Sequence, residues 1–211
     1  MSDVIRFTLD GEEAEAYLVE TIWQVARRLG RDIPHLCYSQ EPGYRADGNC
    51  RVCMVEIEGE RVLAASCLRT PTAGMKVYAA NERARTAQRM VMELLIADQP
   101  VREVAHDRDS HLWQQAERLG VERSRFPRRE TPLPDSSHPA MRVALDACIN
   151  CNLCLRACRE VQVNDVIGMA FRGHRARVVF DQDDAMGAST CVASTRRSRS
   201  SCSPCWVVTA R

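Results

Sequence analysis

Apolar and polar residues alternate from Val4 to Leu9, break at Asp10-Gly11 and resume from Ala14 to Val19. A period of two with a turn dipeptide between predicts a β-hairpin at the start of the chain. The period then changes: Ile22, Val25, Ala26 and Leu29 recur at helical spacing behind Thr21, a good N-cap, and Gly30 is placed to end the helix. Pro34, Gly43 and Gly48 interrupt regular structure before Met54–Ile57 and Arg61–Ala65, which flank the turn Glu58-Gly59-Glu60 and predict a second hairpin. Met75–Tyr78 reads as a last strand. Asn81 caps a second predicted helix with the stripe Met90, Val91, Leu94 and Leu95, ending near Asp98-Gln99-Pro100. A third, over about 110–119, carries Leu112, Trp113, Ala116 and Leu119. Both stripes read as core, and the methionines as packing. From Ser124 to Pro139 four prolines and mixed charge show no period, as in a linker. Val166–Phe171 and Arg177–Phe180, either side of Gly173, predict a further hairpin.

Composition narrows the class. A chain of 211 residues has room for two small domains. A net charge of +1 gives no reason to expect nucleic acid or an anionic membrane as partner. No apolar run approaches the ~20 residues of a membrane span. The start MSDVIRFTLDGEE has no apolar leader core, so a cytoplasmic location with reduced thiols is expected. All but Lys76 of the 29 basic residues are arginine, the mark of a GC-rich coding sequence rather than of a binding face.

The cysteines carry the chemistry. Eight of the eleven fall into Cys37-x12-Cys50-x2-Cys53-x13-Cys67 and Cys148-x2-Cys151-x2-Cys154-x3-Cys158. The second run is the one bacterial-type ferredoxins wrap around a [4Fe–4S] cubane: three cysteines surround one cluster and the fourth reaches another. It therefore predicts a second cysteine group downstream, beginning at Cys191. A disulfide framework belongs to small secreted chains. Structural zinc favours two separated Cys-x2-4-Cys pairs, and four cysteines within eleven residues are too crowded for it. Buried, unliganded cysteine accounts for isolated residues, not clustered ones.

Strands, one helix and more strands, with a cysteine loop after the helix, resemble the β-grasp fold of plant-type [2Fe–2S] ferredoxins. The first gap is longer than in the plant Cys-x4-Cys-x2-Cys pattern. That gap, with Glu20-Thr21-Ile22-Trp23, Ile33-Pro34-His35-Leu36-Cys37 and Gly48-Asn49-Cys50-Arg51-Val52-Cys53-Met54-Val55-Glu56, resembles a narrower group. It is the N-terminal domain shared by the large iron–sulfur subunit of NADH-quinone oxidoreductase, soluble NAD-linked hydrogenases and NAD-dependent formate dehydrogenases. The resemblance implies that Cys37, Cys50, Cys53 and Cys67 hold a [2Fe–2S] cluster. Cys148, Cys151, Cys154, Cys158 and Cys191 would serve one or two [4Fe–4S] clusters.

The quinone reductase and hydrogenase subunits also carry a His-x3-Cys-x2-Cys-x5-Cys cluster site between these groups, whereas this chain has no cysteine between Cys67 and Cys148. His106 and His111 alone cannot form it, and each is read as a solvated or hydrogen-bonded side chain. The segments Ala97–Glu103, Ser110–Trp113 and Cys158–Met169 resemble the formate dehydrogenase branch, including Arg159 where many ferredoxins have proline. In that branch the expected function is a relay from formate oxidation to NAD reduction. A molybdenum or tungsten bis-pterin would lie in a domain beyond residue 211, with flavin- and NAD-binding iron–sulfur subunits as partners. This chain then has no catalytic residues of its own. Alternatives are the relay of a hydrogenase or quinone reductase, and a non-redox zinc-binding interaction module.

The expected class is α+β: a [2Fe–2S] domain over 1–80, a helical connector over 81–123, a linker over 124–139 and a ferredoxin-like cubane module over 140–193. The stretch 194–211 breaks the pattern. The branch requires cysteines at 194, 197 and 201, and Ser194, Arg197 and Ser201 stand there instead. Five serines, three arginines and two cysteines in twelve residues predict a disordered tail, most simply explained by a shifted reading frame after Ala193. Cys202 and Cys205 as substitute ligands are the other reading. The cubanes would then be incomplete while the [2Fe–2S] site stays whole.

Overall fold

The computed structural model describes residues 4–139 and 141–189. Its first unit is a five-stranded sheet built from β1 (Ile5–Leu9), β2 (Glu12–Ala16), β3 (Met54–Ile57), β4 (Ala64–Ala65) and β5 (Lys76–Tyr78), in the order β2-β1-β5-β3-β4. Only β1 and β5 run parallel, and the remaining pairs are antiparallel. The alternation seen in the sequence is the alternation of faces: Phe7, Leu9, Val55, Ile57 and Val77 are buried on the side covered by α1 (Ile22–Arg28). Burying each such side chain stabilises the fold by about 1.5–3 kcal/mol. Although α1 has only seven residues, its start is held by a capping box between Thr21 and Gln24.

The second predicted strand is displaced. It ends at Ala16, and the chain turns away through Tyr17–Glu20, leaving Val19 at φ +70° and 82% exposed. β1 is five residues long and offers no further partner, while Glu20 accepts the Tyr17 N–H at 2.9 Å and fixes the turn.

α2 (Glu82–Ala97), capped by Asn81, returns across the sheet, and α3 (His111–Arg118) packs beside it. The fully buried stripe of α2 is Ala84, Gln88, Met92 and Ile96; of the expected Met90, Val91, Leu94 and Leu95, Val91 and Leu95 pack partly buried against the core, and Leu94 is 49% exposed. Buried Gln88 explains the shift: its amide donates to the Met54 and Ala79 carbonyls at 2.8 and 3.3 Å, so a polar residue lies on the inner face. On α3 the expected Leu112, Trp113 and Ala116 are buried.

Part of the stretch read as linker is a strand: β6 (Asp135–His138) pairs with β7 (Met141–Val143). Its Asp135 accepts the Ser137 and Met186 N–H groups at 2.8 and 2.7 Å, partners that no local periodicity announces. α4 (Leu153–Arg156) continues into a wide turn, Ala157–Val161, and the hairpin β8 (Ile167–Ala170) and β9 (Arg177–Phe180) follows as predicted. Cys191, Cys202 and Cys205, and the tail expected after Ala193, lie outside the described residues.

Candidate iron–sulfur site

The loop between α1 and β3 carries Cys37, Cys50 and Cys53, and the segment after β4 brings in Cys67. All four are buried and none is joined in a disulfide. Their thiols touch in sequence: Cys50 with Cys37, Cys37 with Cys67, and Cys67 with Cys53. Cys50 and Cys67 donate, so their thiols are held above the ordinary range, first by those hydrogen bonds and then by burial. Cys37 and Cys53 accept. Hydrogen bonds from Cys50 and Cys67, with the backbone N–H groups of Cys50 and Asn49, pull Cys37 far down, and Cys67 brings Cys53 to about 7. The Cys50 N–H lies 3.4 Å from the Cys37 sulfur.

Backbone conformation makes this possible. Gly48 has φ +63°, which glycine adopts without strain, and a Cβ there would stand 2.5 Å from Leu68 Cδ1 and push that side chain aside. Arg51 also adopts a left-handed conformation, at φ 57°. Ser66 Oγ donates to the Cys53 carbonyl at 2.8 Å and fixes the far side.

In the second group Asn150 and Asn152 sit at φ 53° and 61°, conformations asparagine tolerates, which curl the chain around Cys148, Cys151 and Cys154. These three line a cavity of about 460 Å³, with Leu36, Trp113, His106 and His111 on its other walls. Burial raises the thiols of Cys148 and Cys154. The Cys158 sulfur accepts the Val166 N–H at 3.3 Å. His111 Nε2 is 2.8 Å from the His35 carbonyl, so it is a hydrogen-bonded side chain, as read from the sequence. His35 is held neutral, its pKa lowered to about 4 by burial and the neighbouring His111.

Four clustered, buried thiols with backbone N–H groups turned on a sulfur are the donor set a [2Fe–2S] cluster requires. Among the described residues no three His, Cys, Asp or Glu side chains close on a single ion position. The thiols form one connected row instead, Cys50–Cys37–Cys67–Cys53.

Sequence reasoning missed the residues that join the two cysteine groups. Arg156 on α4 reaches the first loop, where its guanidinium donates to the carbonyls of Cys37, at 2.9 Å, and Arg45. Asn49 Nδ2 donates to the Cys151 carbonyl at 3.2 Å, and Gln99 Nε2 to that of Cys148 at 3.3 Å. Long-range polar contacts leave no periodic trace. The cue available was Asn49 and Arg156 lying inside cysteine motifs.

Fold and site together define an iron–sulfur protein with a ferredoxin-like [2Fe–2S] domain. Residues 2–82 match the family described as 2Fe-2S iron-sulfur cluster binding domain. The chain is homologous to a subunit of bacterial NADH-quinone oxidoreductase. It is 30% identical to the one from Rickettsia conorii over 178 residues, 83% of this chain and 26% of the relative. The Rickettsia bellii protein gives the same 30% over 83% and 26%. The chain thus spans about a quarter of the length of these curated relatives. A chain in the crystal structure of NAD+-reducing [NiFe]-hydrogenase in the H2-reduced state superposes with a TM-score of 0.76 at 28% identity, covering 88% of this chain and 79% of that one.

Proposed function

We propose that this chain is an electron relay, the iron–sulfur portion of an NAD-linked oxidoreductase. Cys37, Cys50, Cys53 and Cys67 hold a [2Fe–2S] cluster on a β-grasp domain, and Cys148, Cys151, Cys154, Cys158 and Cys191 belong to a cubane pair left incomplete where Ser194, Arg197 and Ser201 stand. The observation that carries the reading is the contact of four buried thiols contributed by two separate segments, Cys37–Cys53 and Cys67. When bound, such a cluster accepts and returns single electrons.

The protein's part is to hold and tune it. Cys37 and Cys53 are the sites where negative charge is already favoured, while Cys50 and Cys67 give up protons as metal enters. The Cys50 and Asn49 N–H groups stabilise charge on the Cys37 sulfur, and the apolar residues Leu36 and Val52 exclude water.

Within this class a formate dehydrogenase alpha subunit is the preferred host, supported by the absence of any cysteine between Cys67 and Cys148. Its molybdenum or tungsten bis-pterin would belong to a domain outside this sequence, and flavin- and NAD-binding subunits would receive the electrons. A hydrogenase relay is the second reading, favoured by the superposition that covers 79% of the hydrogenase chain.

Iron counting on the anaerobically purified chain, with electron paramagnetic resonance before and after dithionite, tests the reading. About two irons and a reversible one-electron [2Fe–2S] signal are expected. Colourless, zinc-loaded protein would overturn the relay, and about ten irons would overturn the incomplete cubane pair.

A further inference from the structure

Arg156 is 4% exposed, yet its charge is not met within its own module. Every group that receives the guanidinium belongs to the loop holding Cys37 and Cys50. The Cys37 carbonyl lies 2.9 Å from Nη2, the Arg45 carbonyl accepts from Nη1, and Asp47 Oδ2 lies 3.1 Å from Nε. The Tyr44 ring stands 5.8 Å from the guanidinium carbon. The residue itself sits between Cys154 and Cys158. A buried cation held this way resists withdrawal, because separating the loops would leave the guanidinium without its anion and the Cys37 and Arg45 carbonyls without their donor, while Asp47 would keep only Arg45, 3.6 Å away.

From this geometry we infer that Arg156 is a positioning residue for the [2Fe–2S] centre. It docks the second cysteine loop onto the first and, through the Arg156–Asp47 pair, sets the reduction potential of the cluster at Cys37. Uptake of one electron adds one negative charge and neither makes nor breaks a bond. A cation beside a ligand's carbonyl favours the reduced form, and an anion there disfavours it. The two members of the pair therefore act with opposite signs. Loosened packing has no reason to produce opposite signs. The inference rests on the [2Fe–2S] reading above.

The test is a mediated dithionite titration of the full chain, reconstituted anaerobically with iron and sulfide, comparing Arg156→Gln, Arg156→Lys, Asp47→Asn and the double variant Arg156→Gln/Asp47→Asn. At the wild-type midpoint Arg156→Gln should be reduced to about one part in ten of the oxidised form, a downward shift of about 59 mV for one electron. Arg156→Lys, which keeps the charge, should stay near wild type. Asp47→Asn should shift upward, and the double variant should return toward wild type. Should Arg156→Gln fail to fold, the upward shift of Asp47→Asn decides alone. Shifts under twofold in both single variants, or shifts of the same sign, overturn the inference and leave the relay intact. A wild-type chain with no reversible one-electron signal overturns both.

Discussion

At the scale of single residues, this structure repeatedly uses charged side chains to pin backbone turns. Arg28 holds Glu20 by two contacts, Nε to Oε1 at 3.1 Å and Nη2 to Oε2 at 2.9 Å, while Glu20 also accepts the Tyr17 N–H. The hydrogen bond from Arg28 outweighs desolvation and holds the Glu20 carboxyl below its ordinary 4.5. A depressed folded-state value means that the stabilisation is complete above about 4.5 and is lost as pH falls through the lower, folded value. Comparing urea unfolding at about pH 6 and about pH 3 should show wild type losing up to about 1 kcal/mol more than Glu20→Gln. Equal losses would show that the ion pair contributes nothing in solution.

At the scale of elements, the joints matter more than the strands themselves. The turn at Met186–Ala188 lies against β6, where a Cβ on Gly187 would come within 2.7 Å of the Ser137 carbonyl oxygen and 2.8 Å of its carbon. Backbone atoms cannot swing aside as a side-chain tip can. Gly187→Ala should therefore destabilise this joint by about 1–3 kcal/mol, seen as faster amide exchange in 135–143 and 186–189 with β1–β5 unchanged. A variant exchanging like wild type would mean that the turn does not seat on β6. The same elements show what sequence patterning resolves. The hairpin β8–β9 was legible because both strands lie next to each other in the chain. β6 was not, although its partner β7 follows within three residues, because Asp135–His138 has no apolar residue to alternate and is held by the Met186 N–H, 51 residues away.

For the whole molecule, the decisive feature is a core shared by the two cysteine groups. Leu36, Cys37, Cys50 and Val52 from the first loop, Met92 and Ile96 from α2, and Cys151 and Leu153 from the second loop form one buried cluster. Removing the Leu153 side chain opens a cavity between the groups. Leu153→Ala should cost about 2–5 kcal/mol and raise amide exchange in both 36–52 and 148–158 within one cooperative transition. A response confined to 148–158 would show that the modules unfold independently. Such coupling suits the proposed relay, because rigidly joined cysteine loops keep a fixed separation.

The sequence by itself determined the inventory: which cysteines group together, that the first group sits after a short capped helix, and that an α+β chain with a strand–helix–strand opening surrounds it. Those features are written in local spacing, and local spacing survives being read in one dimension. It also placed the inner face of α3 correctly, because the apolar stripe of Leu112, Trp113 and Ala116 obeys the helical period. The tertiary structure alone decided the rest. It put polar Gln88 on the inner face of α2, where its amide donates to the Met54 and Ala79 carbonyls. It carried the Arg156 charge across 119 residues of chain to the Cys37 carbonyl. A buried charge or donor is placed by where its partner lies in space, which chain periodicity does not encode.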